Sequence, residues 1–337
     1  MRTLPPKVAE IDYRDEVLSV ESVPGASPLT LAIDQGLRVV RPLEALLVWL
    51  QRVLPPGTDL PAVDFTDVAG VLLPPRRGTT VRTERLGPFA ADWVIARRVD
   101  ASAPVLLHFH GGGLRLGGRR TYRRVASNLS TLTGSRVFLP GFRLLPRTAL
   151  PEMLTDALTA YRWLLDHGVP AERIVVSGDS GGAQLAAHAA LAARDADLPV
   201  PAGLVLLSPW LDFDHSAKRL HHTFRVDPMV SWRLADLVDR WIAHGVLDPA
   251  LGAVNADLTG LPPTLIQVSS TEVLRADAEL MAARLADAKV PCHLQIWDRQ
   301  MHVFQVLTEL LPEARHAVSV ITGFIDAVTS GEQQLAA

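Results

Sequence analysis

Cysteine is all but missing from this chain, with Cys292 the single one in 337 residues. An intramolecular disulfide is therefore excluded, and the usage is that of a reducing compartment. Cys292 opens the strand-like run Cys292 to Trp297, where a buried, inert thiol is expected. Lysine is nearly as scarce, at positions 7, 218 and 289 only, so arginine carries almost all the positive charge. A net charge of −3 and a pI near 6.4 give no basic field to attract nucleic acid or an anionic membrane surface. No apolar run approaches the roughly 18 residues that span a bilayer. Met1 to Glu10 holds two prolines and no apolar stretch of the secretory kind. These absences predict a soluble, cytoplasmic protein with no nucleic-acid partner and no membrane span. Phosphate loops, nucleotide fingerprints and internal repeats are missing as well. The pair His221-His222 near His215 is a weak metal hint, and no metal or cofactor is expected.

What is present is a core-forming composition, 48% hydrophobic, and from about residue 81 a steady alternation of strands and helices. Strands are predicted at Val81–Leu86, Trp93–Val99, Val105–His110, Arg136–Pro140, Ile174–Ser177, Leu204–Ser208, Leu265–Val268 and His293–Trp297. Helices are predicted at Arg119–Leu132, Pro151–Asp166, Gly182–Arg194, Val273–Ala288 and after Val303. Short apolar strands separated by helices imply an α/β fold, with a mostly parallel central sheet and helices on both faces. Two stretches break the rhythm. Leu37 to Leu54 is an apolar helical pattern closed by Pro55-Pro56-Gly57. Residues 211–245 carry a helix with Ser231 as N-cap, Gly245 as stop and Leu234, Leu237, Val238 and Trp241 on one face. Both are expected to pack over the carboxyl end of the sheet, where an α/β site opens. The expected division is a helical cap segment over 1–70, a core over 71–210 and 246–337, and a cap insertion over 211–245.

Two motifs carry chemistry. His110-Gly111-Gly112-Gly113 leaves the apolar run Val105-Leu106-Leu107. Gly178-Asp179-Ser180-Gly181-Gly182 follows Ile174-Val175-Val176 and precedes the small-residue run Ala183 to Ala193. Strand, sharp turn and helix are the context a nucleophile elbow requires, with glycines where the chain and the helix approach closely. Together and in this order, the two read as an acyl-transfer site. A serine hydroxyl needs an adjacent base, itself oriented by an acid, and in this arrangement the chain order is Ser, acid, His. His302 falls on the loop after the last strand and is the expected base. His188, His215, His221, His222, His244, His293 and His316 are read as structural histidines. The acid should follow the strand Thr264 to Val268. Glu272 lies just past that strand, whereas Asp277 is a turn or more into the next helix, so Glu272 is the candidate and Asp277 the alternative. Oxyanion stabilisation calls for converging backbone N–H groups, which Gly112, Gly113 and Gly181 can supply.

With those motifs in place, the chain resembles the hormone-sensitive-lipase-like esterases of the α/β-hydrolase fold, sometimes called bacterial family IV, over roughly residues 70–325. The likeness rests on His110 to Gly113, on Gly178 to Gly182, and on Phe142-Arg143-Leu144-Leu145-Pro146-Arg147 followed by Pro151 and Asp156. It continues in Leu261-Pro262-Pro263, in Glu272-Val273-Leu274-Arg275-Ala276-Asp277, and in His302-Val303-Phe304. Gly181 stands where the family has alanine, Glu272 where it has aspartate, and Phe142 and Arg147 where it has tyrosine and glutamate. The resemblance implies a capped, metal-free carboxylesterase for small-molecule esters of short to medium acyl chain, often a homodimer through the sheet edge. It also places the acid at Glu272. A ligand receptor on the same fold and an amidase or transacylase using the same residues are the competing readings. Arg115, Arg119, Arg120, Arg123 and Arg124 either select an anionic group or lie on a solvated helix face, and the solvated face is expected. Membrane docking by Val39–Leu54, which has Arg52 as the only base over 44–54, is not expected.

Overall fold

The computed structural model describes residues 17–39, 73–230, 232–243 and 245–330. Nine strands form one sheet in the order β1-β9-β8-β7-β6-β4-β5-β3-β2. They are β1 (Leu18–Val23), β2 (Thr80–Arg85), β3 (Ala90–Ile95), β4 (Val105–Phe109), β5 (Arg136–Gly141), β6 (Ile174–Asp179), β7 (Gly203–Leu207), β8 (Thr264–Ser269) and β9 (Cys292–Trp297). Every neighbouring pair from β1 across to β5 is parallel, and at the far edge β3 pairs antiparallel with both β5 and β2.

The strand interiors are apolar on both faces because helices cover both. Leu106, Val175, Val205 and Leu265 meet Val318, Ile321, Phe324 and Ile325 of one helix and Ala126 and Leu129 of another. Their neighbours Val105, Leu107, Ile174, Val176, Leu204, Leu206 and Ile266 point the other way, into the larger cluster with Met153, Ala157, Ala186, Ala190 and Met281. This is the two-residue period of a pleated strand read twice. The first layer is α1 (Arg119–Thr133) and α7 (Pro312–Thr329). The second is α2 (Leu150–Asp166), α3 (Gly181–Asp195) and α6 (Arg275–Asp287). Helix α3 is rich in fully buried alanine, which lets it lie close to the sheet and to α2. Between β7 and β8 come the short α4 (Ser216–Leu220) and α5 (Trp232–Ala243). Cys292 is buried, as expected, and burial pushes its thiol far above the ordinary range.

Three sequence expectations are corrected. The stretch 1–70 is not purely a helical cap, because Leu18–Val23 is an edge strand of the core sheet, paired in parallel with β9. Its partner lies some 270 residues away, so nothing local marks the pairing. The strand expected at Trp93–Val99 runs from Ala90 to Ile95 instead. Asp92 is tolerated in its middle because two arginines neutralise it, while Arg97-Arg98 fall in a turn. The helix expected after Val303 is α7, which starts at Pro312 after the 3₁₀ turn Phe304–Leu307. The solvated-face reading of the arginines fails for Arg119 and Arg123, as described with the site. Residues 28–39 are helical, but Val40 to Leu54, Ser231 and His244 lie outside the described residues. Among the described residues no helix is long and apolar enough to cross a membrane.

Candidate active site

The carboxyl ends of the parallel strands β4, β6, β7, β8 and β9 carry the glycine loop, Ser180, Ser208, Glu272 and His302 in turn. Ser180 sits between β6 and α3 with φ 53° and ψ −124°, a backbone state that non-glycine residues rarely adopt. It is locked there by its N–H donating to Leu207 O (2.9 Å) and its carbonyl accepting from Trp210 N (3.1 Å). The flanking glycines are steric necessities. A Cβ on Gly178 would lie 2.3 Å from Gly182 O, and one on Gly182 would lie 2.2 Å from Phe109 O. The turn therefore holds the serine side chain out from the sheet while strand and helix close beneath it.

His302 bridges Ser180 and Glu272. Its Nε2 lies 2.9 Å from Ser180 Oγ and its Nδ1 2.7 Å from Glu272 Oε2. A carboxylate only accepts, so Nδ1 carries the proton and Nε2 is left to accept from the serine. Glu272 is fully buried, and its second oxygen accepts from Ser269 N and Ser208 Oγ, each at 2.8 Å. Ser208 Oγ in turn accepts from Val303 N at 3.1 Å, so one hydroxyl ties the acid to the backbone beside the histidine. Burial alone would push the His302 pKa down. The hydrogen bond and charge of Glu272, helped by Asp227 and Asp179, outweigh that and leave it above the ordinary histidine value.

Asp277 is drawn elsewhere. Its Oδ2 accepts from Leu211 N and Asp212 N, both at 2.9 Å, and its Oδ1 lies 2.7 Å from Lys218 Nζ. Lys218 also donates to Asp212 O at 2.6 Å. Burial pushes the Asp277 carboxyl up, and Lys218 with the two N–H groups works against it. This carboxylate fastens the start of the 211–245 segment to α6 and has no bond to His302.

Gly112 and Gly113 both have positive φ, 122° and 60°. A Cβ on Gly112 would lie 2.1 Å from Leu116 O, and one on Gly111 would lie 2.2 Å from Asp179 Oδ2. The glycine loop is pinned to the elbow through Tyr122, whose hydroxyl donates to Asp179 Oδ2 (2.8 Å) and accepts from Gly111 N (3.2 Å). His110 is buried, with Nδ1 2.8 Å from Gly111 O and its ring stacked on Phe142 at 4.3 Å. Phe142 thus supplies the aromatic face on which the histidine ring stacks. Gly181 brings α3 close to the loop, since a Cβ there would lie 3.1 Å from Leu114 N.

The histidines set aside in the sequence have structural partners where described. His188 Nε2 lies 2.9 Å from Leu251 O, His221 Nε2 3.2 Å from Glu279 and His215 Nδ1 3.4 Å from Asp239. His293 lies 3.3 Å from Glu21, and His316 meets Trp297 edge-on. Among the described residues no cluster of three or more His, Cys, Asp or Glu side chains is placed to hold a metal ion. Of the arginines of the glycine loop and α1, Arg120 is exposed, whereas Arg119 and Arg123 do not lie on a solvated face. Arg119 and Arg123 both pair with fully buried Asp92, at 2.7 and 2.8 Å, Arg124 pairs with Glu309, and Arg115 lies 5.0 Å over the ring of Trp241. An anion buried in β3 draws the guanidinium groups of Arg119 and Arg123 inward, and nothing in the local sequence of α1 signals it. Ser208, Tyr122 and Asp227 were not singled out in the sequence, because each acts across more than ten residues and sits in no local motif.

A family profile described as alpha/beta hydrolase fold matches residues 106–306. An acetyl-hydrolase of Streptomyces hygroscopicus is 37% identical over 72% of this chain and 82% of its own length. The esterase LipU of Mycobacterium tuberculosis is 34% identical over 86% of this chain and 99% of its own. A crystal structure of an esterase from the bacterial hormone-sensitive lipase family superposes with a TM-score of 0.77 at 30% identity, covering 91% of this chain and all of that one. The chain belongs to the hormone-sensitive-lipase-like esterases. It is a carboxylic ester hydrolase with the α/β-hydrolase fold. EstE5, a solved structure at 28% identity and TM-score 0.77, covers 91% of this chain, and its crystal was soaked with p-nitrophenyl butyrate.

Proposed function

We propose that this esterase cleaves short- to medium-chain acyl esters through an acyl-enzyme on Ser180, with His302 as base and Glu272 as its acid. The observation that carries the reading is the unbroken path Ser180 Oγ, His302 Nε2, His302 Nδ1, Glu272 Oε2, at 2.9 and 2.7 Å. His302 takes the hydroxyl proton as Ser180 Oγ bonds to the ester carbonyl carbon. The resulting oxyanion is met by the N–H groups of Gly112, Gly113 and Gly181. Collapse breaks the bond to the alkoxy group, which leaves as the alcohol with the proton from His302. Water, deprotonated by His302, then attacks the acyl carbon, and the acid leaves as Ser180 regains its proton.

Because His302 must be neutral to act, activity should rise with pH. Its pKa is raised above the ordinary value, so kcat/KM should climb with a midpoint above about 6.5, the unperturbed value for histidine. A pH–rate profile measured under subsaturating ester checks this, and a midpoint below that value contradicts it.

Acyl preference follows from what covers the site. The 211–245 segment, with the parts of 1–70 expected to act as cap, is proposed to close a pocket of limited depth. Each buried methylene gains about 0.8 kcal/mol until the pocket ends. A series of p-nitrophenyl esters should therefore peak at acyl chains of about four to eight carbons, with little action on emulsified long-chain triglyceride. The butyrate ester used with EstE5 falls inside that range. A flat profile out to sixteen carbons, or a rate jump at the lipid interface, would indicate an open, lipase-like site.

A further inference from the structure

A second buried carboxylate stands beside the acid, and the reaction above gives it no task. Asp227 lies between α4 and α5 in the 211–245 segment, and its side chain is wholly inaccessible to solvent. One oxygen accepts from Met229 N and Val230 N, and the other accepts from Val273 N, all three at 2.8 Å. Val273 directly follows Glu272, so Asp227 grips the backbone of the acid loop right beside the acid. Two carboxylates close together in a dry interior are costly, and burial with the charge of Glu272 pushes Asp227 up to about 6. Such an arrangement needs a compensating demand for negative charge at this point.

We infer that Asp227 is a positioning residue for ester hydrolysis, clamping the acid loop so that Glu272 meets His302 and adding a second negative charge that favours the imidazolium. The inference rests on the function proposed above. The charged groups that bear on Asp227 are Glu272 from the acid loop, His302 from the loop after β9 and Arg38 from the helical segment 28–39. The first opposes its ionisation and the other two support it. Asp227 touches neither Ser180 nor the position of the ester; it acts through the acid and the histidine. It also couples the cap to the catalytic machinery, since the same carboxylate holds the cap turn at Met229-Val230 and the loop at Val273.

Asp227→Asn is the informative change, because three N–H donors surround two oxygens and an amide must turn its NH₂ toward at least one of them. The test uses the full-length enzyme with p-nitrophenyl butyrate, counting intact sites with an organophosphate so that unfolded molecules do not enter the rate. Wild-type turnover that is lost in Ser180→Ala establishes the underlying reading independently. Against that reference, D227N should lower kcat by up to about 10²-fold, the scale of a misplaced catalytic group, with KM nearly unchanged. The acid limb of its kcat/KM profile should move to lower pH, because an anion that raises the His302 pKa is gone. Asp227→Glu, which keeps the charge, should return the acid limb to the wild-type position. D227S, which keeps one acceptor oxygen, serves the same comparison where D227N yields no titratable sites. Wild-type kcat per site in the neutral variants, an unmoved acid limb, or a D227E profile matching that of D227N would each overturn the assignment.

Discussion

Replacing Ser180 by alanine is expected to lower kcat for ester hydrolysis by roughly 10⁴- to 10⁶-fold without disturbing the fold. The size follows from losing the hydroxyl that His302 Nε2 contacts, while the glycine loop and the remaining binding surface stay in place. The fold should survive because the elbow is held by backbone bonds from Ser180 N to Leu207 and from Trp210 to Ser180 O, not by the hydroxyl. Alanine carries the same Cβ at φ 53°, so the strain of the turn is unchanged. Turnover of p-nitrophenyl butyrate, with circular dichroism and a thermal melt alongside, measures both halves. Activity retained in a folded S180A enzyme would remove Ser180 from the mechanism.

The second large effect separates two carboxylates five residues apart. Glu272→Gln should cost about 10⁴-fold in kcat, as a neutral amide can neither stabilise the imidazolium nor hold the required tautomer. The loss should be steep here because both carboxylate oxygens face donors. One oxygen faces His302 Nδ1–H and the other faces Ser269 N–H and Ser208 O–H, so an NH₂ in either orientation opposes a donor. Asp277→Asn should instead act on stability. It leaves the Lys218 ammonium buried without its anion, and breaking a buried pair costs about 3–5 kcal/mol. The folded fraction should keep kcat within a few-fold of wild type. Urea unfolding together with rates per titrated active site distinguishes the two outcomes. The reverse pattern, with D277N folded but inactive and E272Q active, would interchange their roles.

These contrasts also mark how far the sequence could be read. The parallel core was legible because β4, β6, β7, β8 and β9 are short apolar runs bounded by glycine, proline or a helical pattern. Ser180, Glu272 and His302 could be singled out because the strand–elbow–helix arrangement carries its nucleophile, acid and base in a fixed chain order on successive strand ends, and the structure brings those three within hydrogen-bond reach. Strand β1 was missed although Leu18, Ser19, Val20 and Glu21 alternate in polarity. Its partner, β9, lies at the other end of the chain, and a six-residue edge strand carries little signal alone. Asp92 could be recognised as buried only once β3 was placed next to β5 and under α1, and that placement is what turns Arg119 and Arg123 inward. Ser208 and Asp227 belong to the same class. Each contributes one side chain to a network with partners 46 to 95 residues away, and those interactions exist only after the sheet has assembled. Local pattern predicts elements and motif chemistry, whereas the support around a site is a property of the tertiary packing.

The most direct test of the central claim is to trap the acyl-enzyme. Wild-type protein mixed briefly with p-nitrophenyl butyrate, quenched in acid and digested should yield one butyrylated peptide, the one containing Ser180. It should be accompanied by a burst of p-nitrophenol close to one per active site, and both should vanish in S180A. A butyryl group on another residue, or steady turnover with neither burst nor adduct under conditions where deacylation limits the rate, would contradict the mechanism.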